Sequence, residues 1–216
     1  MSVTKINKIS DFFRNVPILP ILQVSNTGDG VLAAKALKAG GINMVEVVLR
    51  TRAALGAIEE IRSAVPDMIV GAGTITTPEL AWNAKAAGAQ YLISPGSTLH
   101  LLEAMLKTEL PTLPAIANPS DIIMVRELGF SEMKFFPANI NGGVKALKVF
   151  GEVFPEISFC PTGGVNKENA NSYLDMNNVF AVGGSWLLSE DNIRSGNWQA
   201  ITGVAKQVVE MFSAVR

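Results

Sequence analysis

The sequence predicts an α/β fold, a (β/α)8 TIM barrel with a short N-terminal helix. Three observations carry this expectation: eight short apolar runs of strand type, eight helix-like stretches that follow them, and one spacing that holds along the chain. The runs occupy residues 18–24, 44–49, 68–72, 91–94, 112–116, 133–136, 157–161 and 179–183, and their starts recur every 21 to 26 residues. Ala/Leu/Glu/Lys patterns fill 30–39, 53–64, 78–87, 99–107, 121–128, 144–150, 168–176 and 198–212. A strand that must pair in parallel with the next needs a crossover of this length, usually a helix. A doubly wound open sheet uses the same units, but eight of them in one period favour closure at the lower end of barrel size.

Taken in order, a short helix is expected over residues 3–14, ahead of the first strand. The first helix closes on Gly40-Gly41 and the third on Gly88, where glycine accepts the left-handed cap conformation. The third and fifth helices open after Thr77-Pro78 and Asn118-Pro119, a polar cap followed by a proline whose missing N–H is not needed there. The seventh and eighth strands run into the glycine pairs Gly163-Gly164 and Gly183-Gly184. No stretch has the composition of a linker, so residues 1–216 are expected to form a single domain.

Composition narrows the function. Hydrophobic residues make up 48% and charged residues 17%, with a formal net charge of -1, which argues against a nucleic-acid surface and against disorder. No apolar run approaches the roughly 18 to 20 residues that span a bilayer, and residues 1–15 carry no signal-type apolar segment. The single cysteine, Cys160, cannot support a disulfide framework, and a reducing cytoplasm is the default location. With His100 as the only histidine, a His-rich metal cluster cannot be built, and His100 itself is assigned no role.

The chemistry centres on Met133-Lys134-Phe135-Phe136-Pro137. An amine among Met and Phe side chains is poorly hydrated, which disfavours the ammonium form, and a neutral amine beside a ketone forms a Schiff base. The plainer alternative is a lysine that guards a sheet edge or snorkels to water.

Strand parity bears on the choice, because alternate residues face opposite sides. In the second strand Val45, Val47 and Leu49 share one side, and Glu46, Val48 and Arg50 share the other. In the sixth, Lys134 and Phe136 share a side. If the more apolar sides meet the helices, then Glu46, Arg50, Lys134 and Phe136 face the barrel interior, where charges are costly without a purpose. Glu46 then suits either a proton carrier or the buried partner of Arg50 or Lys134. Cys160 shares parity with Thr162 and reads as a buried, inert thiol.

Further polar groups gather at strand C-terminal ends, where barrels keep their active sites. They are Arg50, Thr74, Ser94-Pro95-Gly96, Thr162-Gly163-Gly164 and Gly183-Gly184-Ser185. Arg50 and Thr74 suit a carboxylate, one through its guanidinium fork and one through its hydroxyl. The glycine pairs suit a phosphate held by backbone N–H groups, or they only permit tight turns.

Together, Val45-Glu46-Val47-Val48-Leu49-Arg50-Thr51, Gly71-Ala72-Gly73-Thr74, Ile93-Ser94-Pro95-Gly96, Lys134-Phe135-Phe136-Pro137-Ala138, Cys160-Pro161-Thr162-Gly163-Gly164 and Gly183-Gly184-Ser185-Trp186 resemble the bacterial 2-keto-3-deoxy-6-phosphogluconate (KDPG) / 4-hydroxy-2-oxoglutarate (KHG) aldolase family. The resemblance runs from about Ile18 to the C-terminus. It implies a metal-independent, cofactor-free class I aldolase on a TIM barrel, usually a homotrimer. Lys134 would be the Schiff-base lysine and Glu46 the acid/base. Arg50 and Thr74 would hold the pyruvate carboxylate, and Pro95 and Phe136 would shape the pocket. Gly163, Gly164 and Ser185 would bind phosphate, with Thr162 and Gly184 completing the substrate site.

Two departures stand at the expected barrel mouth. Ala115 and Asn118 lie where the family has Gly and Thr, and Asn139 where it has Glu. They bear on substrate preference more than on reaction type. The implied reaction is cleavage of a phosphorylated 2-keto-3-deoxy sugar acid, 2-dehydro-3-deoxy-6-phosphogluconate, to pyruvate and glyceraldehyde 3-phosphate. KHG and the galactonate epimer are alternative substrates. A phosphosugar isomerase or epimerase, or a non-catalytic barrel binding a phosphorylated metabolite, are the more distant alternatives.

Overall fold

The computed structural model describes residues 8–13 and 16–213. Of the helix expected at 3–14, positions 3–7 and 14 lie outside the described residues, and the rest forms one 3-10 turn, Ile9–Phe12. The chain then alternates strand and helix: β1 Ile18–Leu22, α1 Thr27–Ala39, β2 Met44–Val48, α2 Ala54–Ala64, β3 Ile69–Gly73, α3 Pro78–Ala86, β4 Leu92–Ile93 and α4 Leu99–Lys107. It continues with β5 Thr112–Leu113, β6 Ala115–Ile116, α5 Pro119–Glu127, β7 Glu132–Phe135, α6 Gly143–Val153, β8 Ser158–Pro161, α7 Ala170–Leu174, β9 Val182–Gly184, α8 Glu190–Arg194 and α9 Trp198–Ser213.

The strand pairings are parallel, as right for a chain that inserts a helix between strands. Six strands pair in the order β5-β4-β3-β2-β1-β9 and three in the order β6-β7-β8. The expected fifth strand is therefore two. Pro114 has no N–H to donate to a ladder, so the run breaks there. Its first half pairs with β4 and its second with β7, while the Pro114 carbonyl accepts from Lys134 N at 2.8 Å. On the far side of the smaller sheet, bridges Phe159 to Val179 and Thr162 to Gly183 link β8 to the segment that becomes β9.

Each strand divides its side chains between two apolar layers. Val45, Val47, Val70, Ala72, Met133, Phe135 and Phe159 pack with the helices in the larger core, where the Phe150 ring meets Phe135 edge-on at 5.6 Å. Leu19, Met44, Tyr91, Ile93, Leu113, Cys160 and Ala181 form a smaller cluster on the other strand face. Ile9 of the 3-10 turn joins it, and Ser10 fixes that turn by donating N–H and O–H to Glu132. Buried Tyr91 donates to the Val45 carbonyl at 2.7 Å, and its ring fills the space that a Cβ on Gly71 would need.

Helix ends follow the sequence signals closely. Thr77 and Asn118 cap α3 and α5 by accepting from Leu80 N and Asp121 N, each with proline at the start of the helix. Gly41 and Gly88 take φ of 91° and 88°, whereas Gly40 stays right-handed at -88°. A Cβ on Gly40 would run into Ala205 of α9, so its glycine serves close packing instead. The α8 turn and the 3-10 turn Trp186–Leu188 were not foreseen, and the helix expected over 168–176 shortens to α7. Among the described residues no helix is long and apolar enough to cross a membrane.

Candidate active site

Two neighbouring kinds of position build the centre of the site: the polar side of β2 and the polar side of β7. The alternation that sends Val45 and Val47 toward the helices leaves Glu46 on the opposite face. The same alternation in β7 sends Met133 and Phe135 outward and Lys134 inward. The two meet with Lys134 Nζ 3.6 Å from Glu46 Oε1, the side chains 6% and 1% exposed.

Neither Glu46 oxygen has a hydrogen-bond partner among the described residues. A carboxylate so far from water is unfavourable by itself, so it depends on the nearby ammonium or on a bound polar molecule. The separation exceeds a direct hydrogen bond, which leaves the pair able to share a reacting oxygen or a water between them. The Phe136 ring lies beside the amine, its centroid 5.1 Å from Nζ, and keeps that side apolar.

Gly73 makes room for this arrangement. A Cβ there would collide with the Glu46 carboxyl, so the last residue of β3 must be glycine for Glu46 to point as it does. Just beyond, Thr74 has φ 63°, a left-handed conformation that is uncommon outside glycine and marks local strain. Its Oγ1 accepts from Arg50 Nε at 3.3 Å.

Glu46, Lys134, Arg50 and Phe136 line a cavity of about 270 Å³ at the C-terminal ends of the strands, shared with Thr162, Gly163, Gly164, Gly184 and Ser185. Thr74 is linked to it through Arg50. Pro95, half-buried after β4, is not among the lining residues, nor is Thr74 itself. Ile21, Val48 and Val165 also line the cavity and were not picked as site residues, and Gly183 of the second glycine pair lines it too. Val48 was legible, since it sits between Glu46 and Arg50 on the same side; Ile21 and Val165 carry no polar atom to draw attention.

The glycine loop has a definite polarity. The Thr162 carbonyl accepts from Ala138 N at 2.8 Å, the Gly163 carbonyl from Asn139 N at 3.1 Å, and the Gly164 carbonyl from Asn169 Nδ2 at 2.9 Å. In a trans peptide the N–H points opposite to its carbonyl, so the N–H groups of Gly163, Gly164 and Val165 are turned away from these three donors. None of the three donates a backbone hydrogen bond among the described residues. Gly163 and Gly164 have φ of 95° and 72°, which requires glycine. Consecutive unpaired N–H groups make an anion-binding concavity.

Cys160 lies beside Lys134 in the ladder and is fully buried. Burial pushes its thiol up to about 12, against the opposing pull of the Lys134 charge, so it stays protonated and unreactive. Burial and then the Glu46 charge hold the Tyr91 phenol well above its usual range. Among the described residues no cluster of three or more His, Cys, Asp or Glu is placed to hold a metal ion. His100 is exposed on α4, away from the cavity lining.

Parallel strands, a dry amine–carboxylate pair at their C-terminal ends and an anion-ready loop define an α/β enzyme of the carbonyl-capturing class. The KDPG and KHG aldolase family model matches residues 9–204, and the chain belongs to that family. It is 45% identical to the 2-dehydro-3-deoxy-phosphogluconate aldolase of Pseudoalteromonas atlantica, over 96% of this chain and 97% of that one. The KDPG aldolase of Legionella pneumophila, solved with pyruvate captured at low pH as a covalent carbinolamine intermediate, superposes with a TM-score of 0.90 at 40% identity, covering 94% and 98% of the two chains. The 2-keto-3-deoxy-6-phosphogluconate aldolase of Zymomonas mobilis, solved with 3-phosphoglycerate, gives 0.87 at 37% identity over 93% and 95%.

Proposed function

We propose that this chain is a Schiff-base aldolase that reversibly cleaves 2-dehydro-3-deoxy-6-phosphogluconate to pyruvate and glyceraldehyde 3-phosphate. The observation that carries the reading is the dry pair of Lys134 Nζ and a Glu46 carboxylate with no other partner among the described residues, on one cavity wall. Pyruvate held covalently in the Legionella relative supports the same use of the amine here.

In this reading Lys134 passes a proton to Glu46 and its neutral Nζ attacks the C2 ketone to give a carbinolamine; Glu46 returns that proton to the departing hydroxyl, which leaves as water and gives a protonated imine. The C3–C4 bond then breaks, its electron pair moving into the imine to leave an enamine. Glu46 accepts the proton from the C4 hydroxyl as that carbon becomes the aldehyde of glyceraldehyde 3-phosphate, and returns a proton to C3 of the enamine. Water adds to the resulting protonated imine, releasing pyruvate and restoring the Lys134 ammonium.

Arg50 holds the substrate carboxylate with Thr74, Phe136 keeps the amine dry, and Pro95 helps to shape the pocket. Thr162, on the cavity wall, is a further substrate contact. Gly163, Gly164, Gly184 and Ser185 take the phosphate, for which the 3-phosphoglycerate in the Zymomonas relative is a fitting precedent. The family name covers KHG as well, and the pyruvate half of the site serves that substrate and the galactonate epimer equally.

The seams at Pro114 and at the β8 bridges suit a closed eight-stranded barrel, in which β5 and β6 count as one strand interrupted by the proline. We further propose that the chain works as one catalytic domain, as a homotrimer, in the cytoplasm. Release of pyruvate from the phosphorylated substrate, followed with lactate dehydrogenase, tests the function. Wild type turns over and folded Lys134→Met falls by at least about 10³-fold; a variant with wild-type rate defeats the reading.

A further inference from the structure

We propose that Asn169 is a positioning residue for substrate phosphate: its side-chain amide aims the Val165 N–H into the cavity. This rests on the phosphate reading of the glycine loop given above. The first two carbonyls of that loop are tied down by backbone N–H groups of the segment after β7, Ala138 and Asn139. The third, Gly164, is tied by a side chain alone, Asn169 Nδ2 at 2.9 Å. Swinging that peptide plane would turn the Val165 N–H with it, because carbonyl and N–H are rigidly opposed.

Asn169 is itself fixed on both sides. Its Oδ1 accepts from Asn166 N at 2.9 Å, and Asn166 Oδ1 in turn accepts from the N–H groups of Glu168 and Asn169 at 3.0 and 3.1 Å. The amide is therefore oriented with its NH2 toward Gly164 and its oxygen toward Asn166, and only an amide satisfies both. Val165 lines the cavity, whereas neither Asn166 nor Asn169 does, so Asn169 acts on substrate only through the loop.

Asn169→Asp and Asn169→Ala test this. Aspartate keeps the shape and the acceptor toward Asn166 N but cannot donate to Gly164; alanine removes the donor without adding charge. The readouts are KM and kcat for the phosphorylated substrate, KM and kcat for 4-hydroxy-2-oxoglutarate, and competitive inhibition by inorganic phosphate.

The expected result for both variants is a rise of about tenfold or more in KM for the phosphorylated substrate and weaker inhibition by phosphate. KM and kcat for 4-hydroxy-2-oxoglutarate, and the yield of borohydride-trapped pyruvate adduct, stay within about twofold of wild type. Unchanged KM for the phosphorylated substrate in both variants overturns the proposal, as does a parallel loss on both substrates. If wild type shows neither preference for the phosphorylated substrate nor inhibition by phosphate, the phosphate reading itself falls and the proposal falls with it. Wild-type discrimination that both variants retain removes Asn169 alone.

Discussion

Among the described residues Glu46 has no hydrogen bond, it has almost no exposure, and Lys134 is the cation beside it. Removing one member of a buried pair leaves the other uncompensated, at a typical cost of about 3–5 kcal/mol. Lys134→Met is accordingly expected to lower stability in urea denaturation by that order, and adding Glu46→Gln to it to restore much of the loss. Equal stabilities for the single and double variants contradict the coupling. Gly73→Ala is expected to cut kcat by at least about tenfold while the secondary structure seen by circular dichroism survives, because the new methyl occupies the place of the Glu46 carboxyl. Both charged residues were legible from strand parity, since each breaks an apolar run on the same side. The need for glycine at position 73 was not, because it depends on a neighbouring strand.

Cys160 gives a pH prediction at the same scale. A thiol held near 12 in the folded chain and near 9.0 when unfolded contributes fully below the unfolded value; the unfolded state ionises first as pH rises. Stability is thus lost between about pH 9 and 12, at up to about 1.4 kcal/mol per unit from this group. In denaturant titrations Cys160→Ala should flatten that alkaline slope, and thiol reagents at pH 8 should leave native wild type unmodified. Rapid labelling of the folded protein refutes the burial argument.

At the scale of elements, capping and proline chemistry explain what the sequence announced and what it hid. Thr77→Ala removes the acceptor for Leu80 N and is expected to cost about 1 kcal/mol in thermal or urea unfolding with kcat unchanged. A loss of activity without a loss of stability goes against a purely structural cap. Asn118 does the same work for α5, accepting from Asp121 N. The Thr-Pro and Asn-Pro signals were readable because a cap is local. The split of the fifth run at Pro114 was missed although the proline is in plain view, since its effect depends on which strand lies on each side. The short α8 and Trp186–Leu188 turns carry too few residues to show a period.

For the whole molecule, the repeat of strand and helix leads to the expectation that candidate residues late in the strands lie at one end of the sheets. That end collects the amine, the acid, the guanidinium and the glycine loop into one cavity of about 270 Å³. Periodicity revealed this because parallel strands share a direction, so residues late in each strand must lie together. Periodicity was silent on the loop's aim, which hydrogen bonds from Ala138, Asn139 and Asn169 set across the fold.

The central claim is that the Lys134 amine captures a ketone. It is tested most directly by reducing the protein with borohydride in the presence of pyruvate and locating the added mass by peptide mass spectrometry. One pyruvate-derived adduct per chain, on the peptide that holds Lys134 and absent from Lys134→Met, is the predicted result. An unmodified chain, or an adduct on another lysine with Lys134 untouched, contradicts it.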